Sequence, residues 1–442
     1  MSFWTTDSAG PQPEDWTFSN APTREITHCY HDYPARMIPQ VAGKLLEMFS
    51  SGAQLLFDPY CGTGTSLVEG TIRGLEVAGT DLNPLARLIA RAKTALPAER
   101  ELNCRLLEFE ELVSKERCGT EAALPVGLQI PGITDVDFWF KRSVSARLLR
   151  LKEFIDGIGD EAARLFFQVA FSETTRESSN TRSSEFKLYR YHKEKLKTFD
   201  PDVFGIMQAK LRRNVAGLRQ YRAALSRINH HPVATVYDFN TVEGIPGGTL
   251  LPGSVDLVIT SPPYGDSHTT VAYGQYSRLS AAWLGLPDPQ KVDRRLMGGT
   301  LYKAVDELPS PALSTAISQI ATVDPKRARE VQAFYVDLYR SISHVAPLIR
   351  PGGYTCYVVG NRKVKGVVLP TDIAVRNFFE EFGFQYVATF IRSIPNKRMP
   401  LRNSPTNAPG VVDHTMLNEY IVVLRRALRP LTTSRASAEV GA

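Results

Sequence analysis

Short apolar runs at 54–58, 76–80, 233–237, 255–260, 353–359, 384–391 and 419–425 punctuate the chain and read as strands. Helical patterns separate most of them, among them Val41 to Phe49, Ser66 to Arg73, 144–171 and 203–228. This alternation predicts an α/β fold with a largely parallel sheet and helices on both faces. Ligands in such sheets sit at the carboxyl ends of the strands. Two stretches exceed what a crossover needs: about 97–230, between the second and third strands, and about 266–330, after the fourth. Long insertions at the ligand-binding edge usually carry recognition. The expected division is therefore 1–96, an inserted helical region 97–230, a second half 231–426 holding the insertion 266–330, and a tail 427–442.

Two of the strands end in chemically loaded turns. Val255-Asp256-Leu257-Val258-Ile259 runs into Thr260-Ser261-Pro262-Pro263-Tyr264. Consecutive prolines continue neither a strand nor a helix, so they fix the backbone there. A rigid carbonyl with a hydroxyl before it and an aromatic face after it can cradle a flat molecule carrying an amino group. The other turn is Asp58-Pro59-Tyr60-Cys61-Gly62-Thr63-Gly64-Thr65, between the strand at 54–58 and a helical pattern. Glycines at such a turn let the backbone approach a ligand closely, and the helix beyond offers free amides. Asp81 closes the next strand, where folds of this kind bind ribose hydroxyls. A third glycine at the dinucleotide offset is missing, as is the Gly-Lys-Ser/Thr of a phosphate loop. Asp58 would repel a pyrophosphate, and it suits a ligand with a positive amino group.

Together the two turns resemble motifs I and IV of the DNA amino-methyltransferases, which methylate the exocyclic amine of cytosine or adenine. The Ser-Pro-Pro-Tyr form resembles the cytosine-N4 branch; the adenine-N6 branch more often begins with Asp or Asn. His31-Asp32-Tyr33-Pro34-Ala35-Arg36-Met37-Ile38-Pro39 resembles motif X, which helps hold the methionine end of the cofactor. Asp238 resembles motif III, Leu348 to Gly353 the turn before the fifth strand, and Glu419 to Leu424 the last strand. The resemblance covers roughly 28–83, 233–265 and 330–426. It implies a Rossmann-like sheet of about seven strands, with S-adenosylmethionine as cofactor. Tyr33, Pro34, Asp58, Pro59, Tyr60, Gly62, Gly64, Thr65, Asp81 and Asp238 would form the cofactor site, and Ser261, Pro262, Pro263 and Tyr264 the catalytic turn. The motif order here, with a large insertion before III and IV, departs from the usual family layouts.

Composition narrows the picture further. Apolar residues make up 43% of 442, enough for a large core, yet no run of about 18 apolar residues suggests a membrane span. Met1 to Asp7 has neither a basic region nor an apolar core, so no leader is expected and the cytoplasm is the expected compartment, with association to the nucleoid through DNA. Five cysteines form no Cys-x-x-Cys pair, and the eight histidines do not cluster in sequence, so no metal site is expected. The tail from Ala427 to Ala442 is expected to be frayed. Net charge is +6, but Lys141 to His230 holds 19 Lys/Arg against 10 Asp/Glu, a local +9. A positive excess in one segment fits a phosphate-binding surface, here that of double-stranded DNA.

Ser172 to Arg182 within that segment is rich in the residue types that read base edges and phosphates, and the alternative is a disordered linker. Arg176, Asn180, Arg182, Lys187, Arg190 and Lys193 are the expected DNA contacts. Gly265 to Arg278, carrying His268, Thr269, Thr270, Tyr273, Gln275 and Tyr276, either holds the flipped strand or forms a lid.

The resemblance implies direct methyl transfer after base flipping, which costs a few kcal/mol of unstacking. Ser261 and the Pro262 carbonyl would accept hydrogen bonds from the amine, Tyr264 would stack on the base, and Cys61 would be a packing residue. A companion restriction endonuclease is the partner that such an enzyme implies. Adenine-N6 transfer, RNA guanine-N2 transfer and an inactive DNA-binding subunit are the competing readings.

Overall fold

The computed structural model describes residues 15–118, 128–183, 185–265, 271–302, 307–394 and 418–428, and the backbone at 402–403 and 413–414. His268, Thr269 and Thr270, and the tail beyond residue 428, lie outside the described residues. The sheet strands are β1 (Leu55–Asp58), β2 (Glu76–Thr80), β3 (Ala234–Tyr237), β4 (Val255–Thr260), β5 (Ile349–Val359), β6 (Phe384–Ser393) and β7 (Asn418–Arg426). They form one sheet in the order β3-β2-β1-β4-β5-β7-β6. The five strands from β3 to β5 are parallel, and β7 runs antiparallel to both β5 and β6. This is the Rossmann-like methyltransferase sheet, with β7 slotted in reverse between β5 and β6. Five of the expected strands match to within a residue; β5 starts four residues early, pairing Ile349 with Val255 before Gly352 (φ 80°) turns the chain. β6 runs two residues past its expected end.

Period-two alternation sorts side chains to two faces. Leu56, Leu257, Ile259, Val358 and Val423 pack with Val41 and Leu45 of helix α1 (Pro39–Phe49). Phe57, Val258, Tyr357, Val359 and Val422 pack on the other face with Leu338 and Ile342 of a helix spanning Pro325–Val345. Every residue of β4 is buried, as expected for a central strand covered on both faces.

Helix α2 (Thr65–Thr71) follows the glycine turn, and α3 (Pro84–Thr94) follows β2. Asn83 caps α3 by accepting from the Leu85 amide at 3.0 Å, with Pro84 at the first position. The insertion contributes α4 (Glu99–Cys118), α5 (Arg142–Asp156), α6 (Glu161–Ser178) and α7 (Val203–Leu225). Their core is continuous with Leu85, Leu88 and Ile89 of α3 and with Leu279 and Trp283 of α8 (Tyr273–Trp283). The helical pattern expected at 144–171 is two helices, and the second runs on through the polar stretch to Ser178.

That stretch is neither a linker nor, before Arg182, a surface. Ser172, Glu173, Thr174, Thr175, Arg176, Ser178, Ser179, Asn180 and Thr181 are all buried. The Thr174 and Thr175 hydroxyls donate to the carbonyls of Ala170 and Phe171, both at 2.9 Å, so they satisfy themselves inside the helix. Among the described residues no helix is long and apolar enough to cross a membrane.

Candidate active site

A cavity opens at the carboxyl ends of β1, β2 and β4. Its lining joins Tyr33 to Met37, Asp58 to Thr63, Thr65, Ser66, Asp81 to Asn83, Phe239 to Thr241, Ser261, Pro263 and Tyr273. The sequence-derived residues Tyr33, Pro34, Asp58, Pro59, Tyr60, Gly62, Thr65, Asp81, Ser261 and Pro263 are thus brought together. Pro262, buried, and Tyr264, half-buried, are not among the lining residues.

The glycine turn is built by close approach. Gly62 (φ 49°) and Gly64 (φ 74°) both take left-handed backbone, which favours glycine. The Gly62 amide donates to Asp81 Oδ2 at 3.0 Å, and Asp81 Oδ1 accepts from the Asn83 amide at 2.7 Å. A Cβ on Gly64 would sit 3.1 Å from Ala90 Cα. Gly64 therefore serves the packing of α2 on α3, and it lies outside the cavity lining.

Asp58 joins the two motif turns. Its Oδ1 accepts from Thr260 Oγ1 at 2.5 Å and from the Tyr60 amide at 3.0 Å; Oδ2 accepts from Ser66. Burial outweighs these donors and raises its pKa to about 6. Burial likewise raises the Asp81 carboxyl above its ordinary value. Tyr60 turns its hydroxyl away, to Ser341.

Aromatic rings wall the opposite side. Tyr33 and Tyr273 stack with centroids 5.9 Å apart, and Asn83 Nδ2 donates to the Tyr33 hydroxyl at 2.7 Å. Asp238 is exposed and outside the cavity, because β3 ends at Tyr237. Phe239 takes the expected place, its carbonyl accepting from Thr80 Oγ1 at 2.6 Å.

Two basic residues, one lining the site and one bonded to a lining residue, went unread in the sequence. Arg36 lines the cavity, donating to the carbonyls of His28 and His31 at 2.9 and 3.3 Å. Lys93 is fully buried, donates to Thr63 Oγ1 at 3.2 Å, and is pulled well below its ordinary pKa by desolvation. Arg36 sits among motif X residues and offered a faint signal; Lys93, on an amphipathic helix, offered none.

The insertion holds the motif X segment. His31 Nε2 meets Ser172 Oγ at 2.8 Å, and Glu173 Oε1 accepts from the Asp32 amide at 2.8 Å while its other oxygen accepts from Arg213 at 2.6 Å. Arg176 lies over the Tyr276 ring at 3.9 Å and donates to the Tyr276 and Glu185 carbonyls. Asn180 donates its side-chain amide to the Phe138 carbonyl at 3.1 Å. The expectation of DNA contact at Arg176 and Asn180 is therefore corrected: both are buried struts. Arg182, Lys187 and Lys193 are exposed, and Arg190 is half-buried over the Phe138 ring.

The chain is 39% identical over 422 residues to the type II methyltransferase M.MvaI of Kocuria varians, spanning 92% of this chain and 93% of that one. It belongs to the type II DNA methyltransferases. The cofactor of this methyltransferase is S-adenosylmethionine. The cavity fits it on its own chemistry: acidic oxygens at Asp58 and Asp81, an aromatic wall, and a buried Thr65 hydroxyl with no protein partner. No protein-family model matches the methyltransferase. Among solved structures, TrmN of Thermus thermophilus aligns with 88% of it and 49% of that chain, at 8% identity and a TM-score of 0.29. TTHA0409, also of Thermus thermophilus and complexed with S-adenosyl-L-methionine, aligns with 42% of it and 53% of that chain, at 18% identity and a TM-score of 0.21. The fold assignment rests on the strand order.

Proposed function

We propose that the enzyme transfers a methyl group from S-adenosylmethionine to the N4 amine of a cytosine within a specific DNA site, as the modification half of a restriction-modification system. The observation that carries this is Ser261, which lines the same cavity as Asp58, Gly62 and Asp81. A neutral hydroxyl followed by a rigid prolyl carbonyl offers two acceptors to an amine, in the form typical of the cytosine-N4 branch. Accepting from the amine draws its lone pair out of ring conjugation, and position and electrostatics supply the rest of the rate. The target must leave the duplex to reach this cavity, which calls for base flipping. Asp58 suits the cofactor ammonium and Asp81 the ribose hydroxyls, while Arg36 suits the carboxylate. S-adenosylmethionine supplies the electrophilic methyl group; the chain's residues hold, orient and desolvate. The helical region 97–230 is the proposed target-recognition region, with exposed Arg182, Lys187 and Lys193 toward phosphates.

The test is incubation of the purified enzyme with unmethylated DNA and S-adenosylmethionine, digestion to nucleosides and mass spectrometry. N4-methylcytosine is the expected product. N6-methyladenine would overturn the base assignment and keep the fold.

A further inference from the structure

Tyr264 does not stand free at the catalytic turn. Its hydroxyl donates to Glu419 Oε1 at 2.9 Å, and Ser261 Oγ donates to the same tyrosyl oxygen at 3.2 Å. Glu419 lies on β7 directly across from Arg392 on β6, and Arg392 donates to its second carboxylate oxygen. Arg392 is buried, and the Glu419 side chain is 16% exposed. The four residues form one directed chain from the far edge of the sheet to the cavity.

Direction matters because each member has a fixed inventory of protons. An ionised carboxylate only accepts, so the Tyr264 proton must point at Glu419. The Tyr264 oxygen can then only accept from Ser261. The Ser261 proton is committed to Tyr264, and the lone pairs of Ser261 are what its side chain has left to present to the cavity. A hydroxyl free to rotate would offer either a donor or an acceptor; this one offers an acceptor. An amine N–H matches it and a ring carbonyl or a protonless ring nitrogen does not.

We propose that the Glu419–Arg392 pair is a positioning device that fixes Ser261 as an obligate hydrogen-bond acceptor through Tyr264, and so selects an amino group at the transfer position. The inference rests on the reading of Ser261 as the acceptor for the target amine. Glu419 and Arg392 touch no reacting atom; they act through Tyr264 and Ser261. The chain also fixes the tilt of the Tyr264 ring.

The experiment uses the full-length enzyme and DNA bearing its site, measuring kcat, the KM for DNA and the cofactor dissociation constant. Tyr264→Phe keeps the ring and frees the Ser261 proton. Glu419→Leu removes the acceptor that orients Tyr264. Each should lower kcat about tenfold, the scale of one charge-assisted hydrogen bond, with cofactor binding unchanged and KM for DNA shifted less than kcat. The double variant should be no slower than the slower single one, because both changes cut one chain. Ser261→Ala with Glu419→Leu should likewise equal Ser261→Ala alone. Wild-type kcat in Tyr264→Phe, or losses that multiply in the double variant, would overturn the proposal. Glu419→Leu leaves Arg392 buried without its partner and can unfold the edge; Tyr264→Phe leaves that ion pair intact and then decides alone. A wild-type enzyme that methylates no DNA would overturn the underlying reading. An active wild type with unaffected variants would overturn only this chain.

Discussion

Thr260 donates its hydroxyl to Asp58 Oδ1 at 2.5 Å, bridging two turns that lie 202 residues apart in sequence. The two motif turns are therefore tied to each other directly, with the Asp58 carboxyl held by the hydroxyl of Thr260, the residue that leads into the Ser-Pro-Pro-Tyr turn. Removing that hydroxyl with Thr260→Val should weaken cofactor binding by about 1 kcal/mol, since Asp58 loses a donor to its charged form. Asp58→Ala should cost more, about 1.5–3 kcal/mol, if the carboxylate meets the ammonium. Isothermal titration with S-adenosylmethionine measures both; unchanged dissociation constants would remove Asp58 from the site.

The pH dependence of cofactor binding follows from the same carboxyl. Its pKa is raised to about 6 by burial, so without cofactor it is protonated at mildly acidic pH. Binding an ammonium favours the ionised form. Affinity should therefore fall as pH drops below about 6, and binding near pH 6 should release a proton. Titration in buffers of different ionisation enthalpy detects that proton.

Stability should respond to acid through the histidines. Burial lowers both His28 and His31 from 6.5 to about 4. A group with a depressed folded pKa contributes stability that is present above its unfolded value and lost as pH falls through the folded one. Thermal stability should decline between about pH 6.5 and 4. Asp58 works the other way: its raised pKa favours folding below 3.8, and that contribution is lost as pH rises through about 6. The Asp81 and Asp337 carboxyls are raised in the same direction and oppose the histidines together with Asp58. The histidine pair is expected to set the net sign, acid destabilisation. A melting temperature that rises on acidification across this range would contradict it.

Buried and exposed cations of the insertion should separate cleanly. Lys187→Ala should weaken DNA binding across sequences and reduce the salt slope by about 1, with the melting temperature unchanged. Arg176→Ala removes a buried guanidinium from the Tyr276 ring and two carbonyls. It should cost about 2–4 kcal/mol of stability first. Fluorescence anisotropy at several salt concentrations, beside thermal melts, tells the two apart.

Much of this architecture was legible in the sequence because the strands are short, apolar and end in turns with little conformational choice. Gly62, Asp81, Ser261 and Pro263 could be placed at one edge from strand order alone. Asp238 could not: one residue decides which side chain turns inward, and Phe239 won. Arg176 misled because residue type was read without its helix. A Ser/Thr-rich segment looks exposed, yet hydroxyls that bond their own backbone can be buried. Lys93 and Glu419 carried no local signal, since their importance comes from partners 30 and 155 residues away.

The grip of Ser172 and Glu173 on the His31–Asp32 segment bears on how such an enzyme acquires a new specificity. Residues 97–230 are not a cartridge that can be exchanged whole, because part of the cofactor pocket's outer wall hangs from them. A chimera carrying a foreign insertion should lose affinity for the methyl donor before its choice of DNA site can even be scored. Specificity is therefore expected to drift through exposed side chains such as Arg182, Lys187 and Lys193, which take no part in that grip.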